Sequence, residues 1–234
     1  AYERLTSILS DPDECGMSAL DCIYEIMENE VQRRDSNALA RRLKEAKICL
    51  PNARPDTIDF SIERGLDKNK IDALLTMRWM EEHQNIIITG AAGCGKTFLA
   101  CALVNQACIK GRTARVVRVP LLLNQMAASH QIVETYFKKL KEMKTIDLLV
   151  LDDWGIGQLD ARSRQDLLEI INERYMYAST IVTSVLPVNK WSEYINDTTY
   201  SDAILDRLVS VSHRVELNGA SVRQMKEYGA VLKE

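Results

Sequence analysis

The order of apolar and polar positions separates a helical first part of the chain from an alternating second part. Residues 18–49 carry apolar side chains at helical spacing, which predicts one long helix. Pro51 and Pro55 interrupt that spacing, so we expect an irregular connector over residues 51–70. Helical spacing returns over Ile71–Glu82 and predicts a second helix.

From residue 85 onward, short apolar runs alternate with amphipathic stretches. A parallel strand that is covered by helices on both faces has few polar positions, so each apolar run predicts a buried strand. The alternation predicts a doubly wound parallel α/β domain. The predicted strands are Ile86–Thr89, Ala114–Val119, Asp147–Leu151, Thr180–Ser184 and Arg214–Leu217, and the predicted helices lie near 96–110, 131–144, 161–177 and 200–211.

Composition places the chain among ordinary globular proteins. Of its 234 residues, 46% are hydrophobic and 27% are charged, which excludes wholesale disorder. No run of about eighteen apolar residues occurs, so we expect no membrane span and no membrane contact. The six cysteines are scattered without a CxxC pair, and only three histidines accompany them. This pattern disfavours a zinc site and a disulfide framework, and we expect reduced thiols in a cytoplasmic protein.

The strongest chemical signal is Gly90–Thr97, with the sequence GAAGCGKT, which fits the pattern GxxxxGK[ST]. It follows a predicted strand and opens a predicted helix. Glycines let successive N–H groups turn toward phosphate oxygens, and the helix N-terminus adds positive potential. Lys96 is expected to reach the β- and γ-phosphates, and the Thr97 hydroxyl is expected to hold Mg²⁺. The predicted nucleotide contacts are Gly90, Ala91, Ala92, Gly93, Cys94, Gly95, Lys96, Thr97 and Phe98.

The second signal is a pair of carboxylates, Asp152 and Asp153, at the end of the predicted strand Asp147–Leu151. Parallel sheets bind their ligands at the carboxyl ends of the strands, so this pair is expected beside the phosphates. Asp152 is expected to anchor Mg²⁺ through water, together with Thr97. Asp153 is expected to orient or deprotonate the attacking water.

The sequence favours ATP over GTP. Asp152–Gly155 also fits the DxxG pattern of GTP-binding proteins, so a GTP switch stays open as an alternative. Guanine recognition would require a carboxylate in an NKxD segment, and Asn189–Ser192 has Ser192 in that position. A neutral hydroxyl cannot pair with the guanine N1–H and amino group as a carboxylate does.

Five segments carry a resemblance that reaches beyond the phosphate motifs: Gly90–Thr97, Asp147–Gly155, Leu167–Tyr175, Ser179–Pro187 and Asp202–Leu208. Together they resemble the IstB-like helper ATPases of insertion-sequence transposons, which are AAA+ proteins related to the DnaC-type helicase loaders. The resemblance implies a P-loop sheet of order 5-1-4-3-2, with the AAA+ lid domain missing or minimal. We expect a boundary near residue 60, with 1–60 as a helical N-terminal domain or arm for DNA or partner binding and 61–234 as the AAA+ ATPase domain.

The resemblance also implies roles for residues outside the two motifs. Thr183 and Ser184 correspond to the first sensor, and either hydroxyl could act. Arg207 corresponds to the arginine finger, which enters the site of a neighbouring subunit and offsets phosphate charge. Arg223 corresponds to the second sensor. The helix pattern places Arg207 on an outward face, and we expect Arg174 to form a salt bridge on its helix surface rather than to bridge subunits.

Charge is distributed unevenly along the chain. The formal net charge is −3, yet residues 31–54 hold seven basic and two acidic side chains. Such basic groups usually face solvent, but they can also meet the phosphates of DNA. The family binds duplex DNA with little reading of sequence, which fits phosphate contacts. The predicted DNA contacts are Arg34, Arg41, Arg42, Lys44, Lys138 and Lys139.

The residues and the resemblance together predict an ATP-dependent, DNA-binding AAA+ ATPase. It is expected to use ATP and Mg²⁺, to assemble on double-stranded target DNA as a homo-oligomer with composite ATP sites, and to stimulate a companion transposase. The main alternative is a replicative-helicase loader, which would be the same engine with another protein partner. A GTP-dependent switch and a nucleotide-dependent clamp that does not hydrolyse ATP are less favoured.

Overall fold

A single parallel sheet organises the molecule. The computed structural model describes residues 19–219 and 221–222. Within them the five strands follow the order β2-β3-β4-β1-β5, and every neighbouring pair is parallel. Read from the opposite edge, this is the predicted order 5-1-4-3-2, so the predicted fold class is confirmed. The strands are β1 Asn85–Gly90, β2 Ala114–Arg118, β3 Leu148–Trp154, β4 Ser179–Ser184 and β5 Ser212–Leu217.

Helices cover both faces of this sheet. In the described residues they are α1 Ala19–Glu45, α2 Lys68–Leu75, α3 Arg78–Glu81, α4 Lys96–Ile109, α5 Val119–Ser129, α6 Val133–Thr145, α7 Ala161–Arg174, α8 Trp191–Ile195 and α9 Thr198–Val209. Short 3-10 turns occupy Pro55–Thr57 and Val188–Lys190. No helix in this part of the chain is both long enough and apolar enough to cross a bilayer.

The predicted strands and the four helices between them are all found, with their ends shifted by at most a few residues. Helix α5, by contrast, occupies a stretch that the sequence pattern left unassigned. Pro120 lies in its first turn, where the missing N–H costs no helical hydrogen bond. Its apolar side, with Val119, Leu122 and Met126, is buried in the core.

The prediction of one helix over Ile71–Glu82 is wrong. Met77 adopts a left-handed conformation with φ of +65° and separates α2 from α3. The break turns Trp79 back toward the preceding helix, where its indole N–H donates to the carbonyl of Leu74 at 2.8 Å. Periodicity alone cannot reveal a single left-handed residue, because the apolar positions on either side keep helical spacing.

The core has two layers, one on each face of the sheet. Along β1, Ile86 and Ile88 pack on the face that is covered by α4, whereas Ile87 packs with α5, α7 and α9 on the other face. Burial on both faces explains why the strands read as continuous apolar runs. Ala46 and Ala53, which follow α1, are fully buried in the α4 layer. The domain boundary near residue 60 stays a prediction.

Arg174 has a different role from the predicted surface salt bridge, and that prediction is wrong. Its side chain is 2% exposed. Its guanidinium donates to the carbonyls of Met143, Ile146 and Ser179 and to the hydroxyl of Thr180. Burial lowers the pKa of Arg174 to about 9, which still leaves it charged at neutral pH. Arg174 therefore ties the end of α7 to the segment before β3 and to the start of β4.

We expect Arg174→Met to lower the free energy of unfolding by about 3 kcal/mol or more, because it leaves several buried acceptors without donors. Arg162→Met is the matched control, since Arg162 is exposed on the same helix. That control is expected to stay within about 0.5 kcal/mol of the wild type. Urea unfolding measures both changes, and equal stabilities for the two variants would contradict the structural role of Arg174.

Candidate phosphate-binding site

The segment between β1 and α4 curls tightly at the N-terminus of α4. Gly90 has φ of +148°, and a Cβ there would lie 2.2 Å from the carbonyl oxygen of Leu217. Gly95 has φ of +101° and immediately precedes the first helical residue. Only glycine combines this backbone with such close contact, so the glycine pattern of the motif has a direct steric reason. The predicted loop therefore lies at a helix N-terminus, where anions are favoured.

Lys96 lies across its own loop. Its Nζ atom donates to the carbonyl oxygens of Gly90 at 2.7 Å and Ala91 at 2.8 Å, and the residue is buried. Both partners are neutral, whereas an ammonium group binds charged oxygens more strongly. The arrangement keeps a buried cation beside the loop and available to an anion.

Two hydroxyl groups converge on the carboxylate of Asp152. The Thr97 hydroxyl donates to Asp152 Oδ1 at 2.9 Å, and the Thr183 hydroxyl donates to the same oxygen. Asp152 is buried at the end of β3. Hydroxyl and carboxylate oxygens are the ligands that Mg²⁺ prefers, so Thr97 and Asp152 fit the predicted metal site. In the described residues no cluster of three His, Cys, Asp or Glu side chains surrounds them.

The end of β4 distinguishes the two candidate sensor residues. Thr183 contacts Asp152 and also accepts a hydrogen bond from the backbone N–H of Asp153 at 3.3 Å. Ser184 instead donates to the carbonyl of Trp154 at 2.7 Å and accepts from the N–H of Leu186 at 3.0 Å. The structure therefore brings Thr183 to the carboxylate of Asp152, while Ser184 joins the ends of β3 and β4.

A bulge in β3 redirects the side chain of Asp153. The register between β3 and β4 shifts between Leu151 and Trp154, and Asp153 has φ of +62°. Bulges of this kind re-aim a side chain at a strand end. The Asp153 carboxylate accepts a hydrogen bond from Nε of Arg118, on the neighbouring strand β2, at 2.6 Å.

Arg118 is a site residue that the sequence analysis missed. It is the last residue of β2 and lies opposite Asp152 in the sheet register. The hydrogen bond to Asp153, and then the charge of that carboxylate, raise the pKa of Arg118. The strand order places β2 beside β3 and so brings Arg118 to Asp153. No sequence motif predicts this contact.

Arg207 lies at the amino ends of the strands, whereas the loop lies at their carboxyl ends. The side chain of Asn85, the first residue of β1, donates to the carbonyl of Arg207 at 3.1 Å. The loop follows the last residue of this six-residue strand, which spans about 17 Å. The guanidinium is half-buried, lies 5.7 Å from the ring centre of Tyr175, and donates to the carbonyl of Ala203. The helix pattern predicted an outward-pointing Arg207, but this side chain is held against Tyr175 and its own helix. It cannot reach the loop of its own chain.

The basic residues of α1 have partners in the same helix. Arg34 pairs with Glu30 at 2.9 Å, as does Arg33 at 2.8 Å, and Arg41 lies 4.0 Å from Glu45. The hydrogen bonds from Arg33 and then Arg34 lower the pKa of Glu30 to about 2, so this acid is ionised at neutral pH. The positive charge of these arginines is therefore partly balanced by acidic side chains of the same helix.

The remaining predicted DNA contacts differ in their exposure. Arg42 is half-buried and donates from Nε to the carbonyl of Cys108 at 3.1 Å, which fastens α1 to the end of α4. Lys44 on α1 and Lys138 on α6 are exposed, and Lys139 is partly exposed. Arg223, the predicted second sensor, lies outside the described residues, as does most of the segment in which a lid would follow.

Comparisons with known proteins agree with this geometry. Residues 3–230 match the model of a family described as IstB-like ATP binding protein. The insertion sequence ATP-binding protein y4pL of Sinorhizobium fredii is 39% identical over 222 residues, which cover 95% of this chain and 90% of that protein.

Solved structures share the fold at lower sequence identity. The DnaC helicase loader superposes with a TM-score of 0.58 at 19% identity, covering 72% of this chain and 98% of that one. AMPPCP-bound DnaA from Aquifex aeolicus gives a TM-score of 0.60 at 20% identity, covering 79% of this chain and 56% of that one. These likenesses show that the chain shares its fold with these two proteins.

Proposed function

We propose that this chain, which belongs to the family of IstB-like ATP binding proteins, is the ATPase that serves an insertion-sequence transposase. It binds ATP in the loop Gly90–Thr97, assembles on target DNA as a homo-oligomer and stimulates the transposase. The meeting of Thr97 and Asp152 at 2.9 Å, from two separate elements at the end of the loop, carries the proposal. The insertion-sequence relative, at 39% identity, supports the choice of partner.

Nucleotide binding uses the loop and its cation. The backbone N–H groups of the loop cradle the phosphates, and Lys96 exchanges the carbonyls of Gly90 and Ala91 for the β- and γ-phosphate oxygens. Thr97 and Asp152 would hold Mg²⁺, with Asp152 acting through water. When bound, this ion offsets the negative charge that develops on the phosphates.

Hydrolysis needs a carboxylate beside the attacking water. Asp153 is the candidate, and in this structure it is paired with Arg118. We infer that the pair opens before Asp153 accepts or orients the water, because the guanidinium of Arg118 occupies the carboxylate oxygen Oδ2 of Asp153. Thr183 contacts Asp152 and the backbone of Asp153, which suits it to sense the water or the γ-phosphate.

Assembly completes the site. Arg207 cannot reach the loop of its own chain, so its charge acts on phosphates that are bound by a neighbouring copy. Turnover then depends on the oligomer, and DNA favours the oligomer by lining subunits up along its phosphates. Lys44, Lys138 and Lys139 are proposed as DNA contacts, and Arg34 and Arg41 join them by leaving their acidic partners. The structural role of Arg42 makes it a weaker DNA candidate.

A helicase loader is the second candidate function, because the DnaC helicase loader has the same fold over 98% of its length. Sequence identity separates the two candidates: it is 19% to that loader and 39% to the insertion-sequence protein. Co-purification with the companion transposase or with a replicative helicase distinguishes them directly.

We expect Lys96→Ala to abolish ATP binding and DNA-stimulated turnover, because no other side chain of the loop supplies a cation to the phosphates. The matched control is Lys110→Ala, an exposed lysine just after the same helix, which is expected to behave as wild type. Calorimetry and phosphate release, with ATP and GTP in parallel, measure both steps. Unchanged turnover in Lys96→Ala, or turnover of GTP alone, would contradict the proposal.

Mixing two inactive variants tests the composite site. Arg207→Ala keeps its own loop but lacks the finger, whereas Lys96→Ala keeps the finger but cannot bind ATP. We expect little DNA-stimulated turnover from either alone and a partial recovery in the mixture, where the two defects fall in different sites. The finger assignment is wrong if Arg207→Ala alone turns over ATP normally with DNA.

Arg118→Met tests the pair with Asp153. Without its guanidinium partner the carboxylate is free to meet water, so we expect ATP turnover in the absence of DNA to rise severalfold. Arg112→Met, an exposed arginine before the same strand, serves as the control. A fall in turnover would instead assign Arg118 to holding Asp153 in its working position.

A further inference from the structure

Arg64 is buried against the back of the phosphate loop. Its side chain is 5% exposed. One terminal nitrogen donates to the carbonyl of Cys94 at 3.4 Å, and the other donates to the carbonyl of Asp59 at 2.9 Å. A Cβ on Gly95 would lie 2.4 Å from the same guanidinium. The glycine of the loop therefore leaves the space that the arginine fills.

Arg64 forms no ion pair within the described residues, although the charge of Asp59 acts on it. Its Nε atom is buried and has no hydrogen-bond partner. Burial lowers the pKa of Arg64, and the charge of Asp59 opposes that effect only in part. A buried cation in this state is costly unless an anion comes close.

The fold, and not a flexible side chain, sets this position. The backbone N–H of Asn218 donates to the carbonyl of Arg64 at 2.8 Å. The next residue, Gly65, has φ of +78°, and a Cβ there would lie 2.9 Å from the carbonyl of Glu216. These contacts hold the backbone of Arg64 beside the end of β5, the strand next to β1. They thereby fix the position from which its side chain extends to the loop.

We propose that Arg64 is a positioning residue of the nucleotide site. Through the Cys94 carbonyl it holds the loop in its curled shape, and the phosphates of the bound nucleotide add to the negative charge that acts on the buried guanidinium. This inference rests on the proposed function, in which the loop binds ATP. Because such loops cradle the α- and β-phosphates, Arg64 favours nucleotides that carry a β-phosphate. It thus raises the preference for ADP over AMP.

Two substitutions separate the charge from the packing. Arg64→Gln keeps an N–H donor but removes the charge, whereas Arg64→Lys keeps the charge but loses the planar fork. We expect Arg64→Gln to reduce the preference for ADP over AMP by about tenfold or more, and Arg64→Lys to retain most of it. Arg54→Gln is the control, because Arg54 is an exposed arginine of the same connector that pairs with Asp56.

The measurement is competition of ADP and AMP against a fluorescent adenine nucleotide with Mg²⁺ at fixed ionic strength, after thermal melting has shown that each variant is folded. If the wild type binds no adenine nucleotide, the proposed function itself fails. If the wild type binds and Arg64→Gln keeps the full preference, or if Gln and Lys lose it equally, only the role of Arg64 is overturned. If Arg64→Gln does not fold, Arg64→Lys decides: a preference close to wild type supports the role, and a lost preference overturns it.

Discussion

The buried carboxylate of Asp152, held by the hydroxyls of Thr97 and Thr183, is the interaction on which the site depends. A buried carboxylate is stable only when donors reach it, so the ends of β3 and β4 and the start of α4 must meet within hydrogen-bond distance. The parallel register of β1, β4 and β3 provides that alignment. The curl of the loop and the bulge at Asp153 then set the remaining groups around a carboxylate that cannot move far.

Much of the fold and the core of the site could be predicted because their signals are local. Apolar runs mark strands that are buried on both faces, and Gly90–Thr97 carries its steric reasons in consecutive residues. Arg118 and Arg64 could not be predicted, since each acquires its meaning from contact with a distant part of the chain. Arg174 misled for a related reason: a charged residue in the last turn of an amphipathic helix reads as exposed, and only the carbonyls gathered around it make burial tolerable.

The parallel sheet also separates two charges that the proposed reaction brings together. The loop lies at the carboxyl edge of β1, and Arg207 is attached to Asn85 at the amino edge. The two parts of the proposed site thus lie at opposite ends of the strands. Such a chain can complete the site only through head-to-tail contacts, in which two different surfaces meet. Such contacts close into rings or continue as open filaments, and the rotation between neighbours decides which of these forms.

The bond between Arg42 and the carbonyl of Cys108 joins the base of α1 to the tail of the helix that begins at the phosphate loop. A cation at that end is favoured by the helix dipole, so the joint is electrostatic as well as steric. From Arg42 back to Ala19, α1 extends about 35 Å. A rotation of about 5° at this joint would therefore displace the far end of the helix by about 3 Å, so the direction of α1 depends on how firmly this one hydrogen bond holds its base.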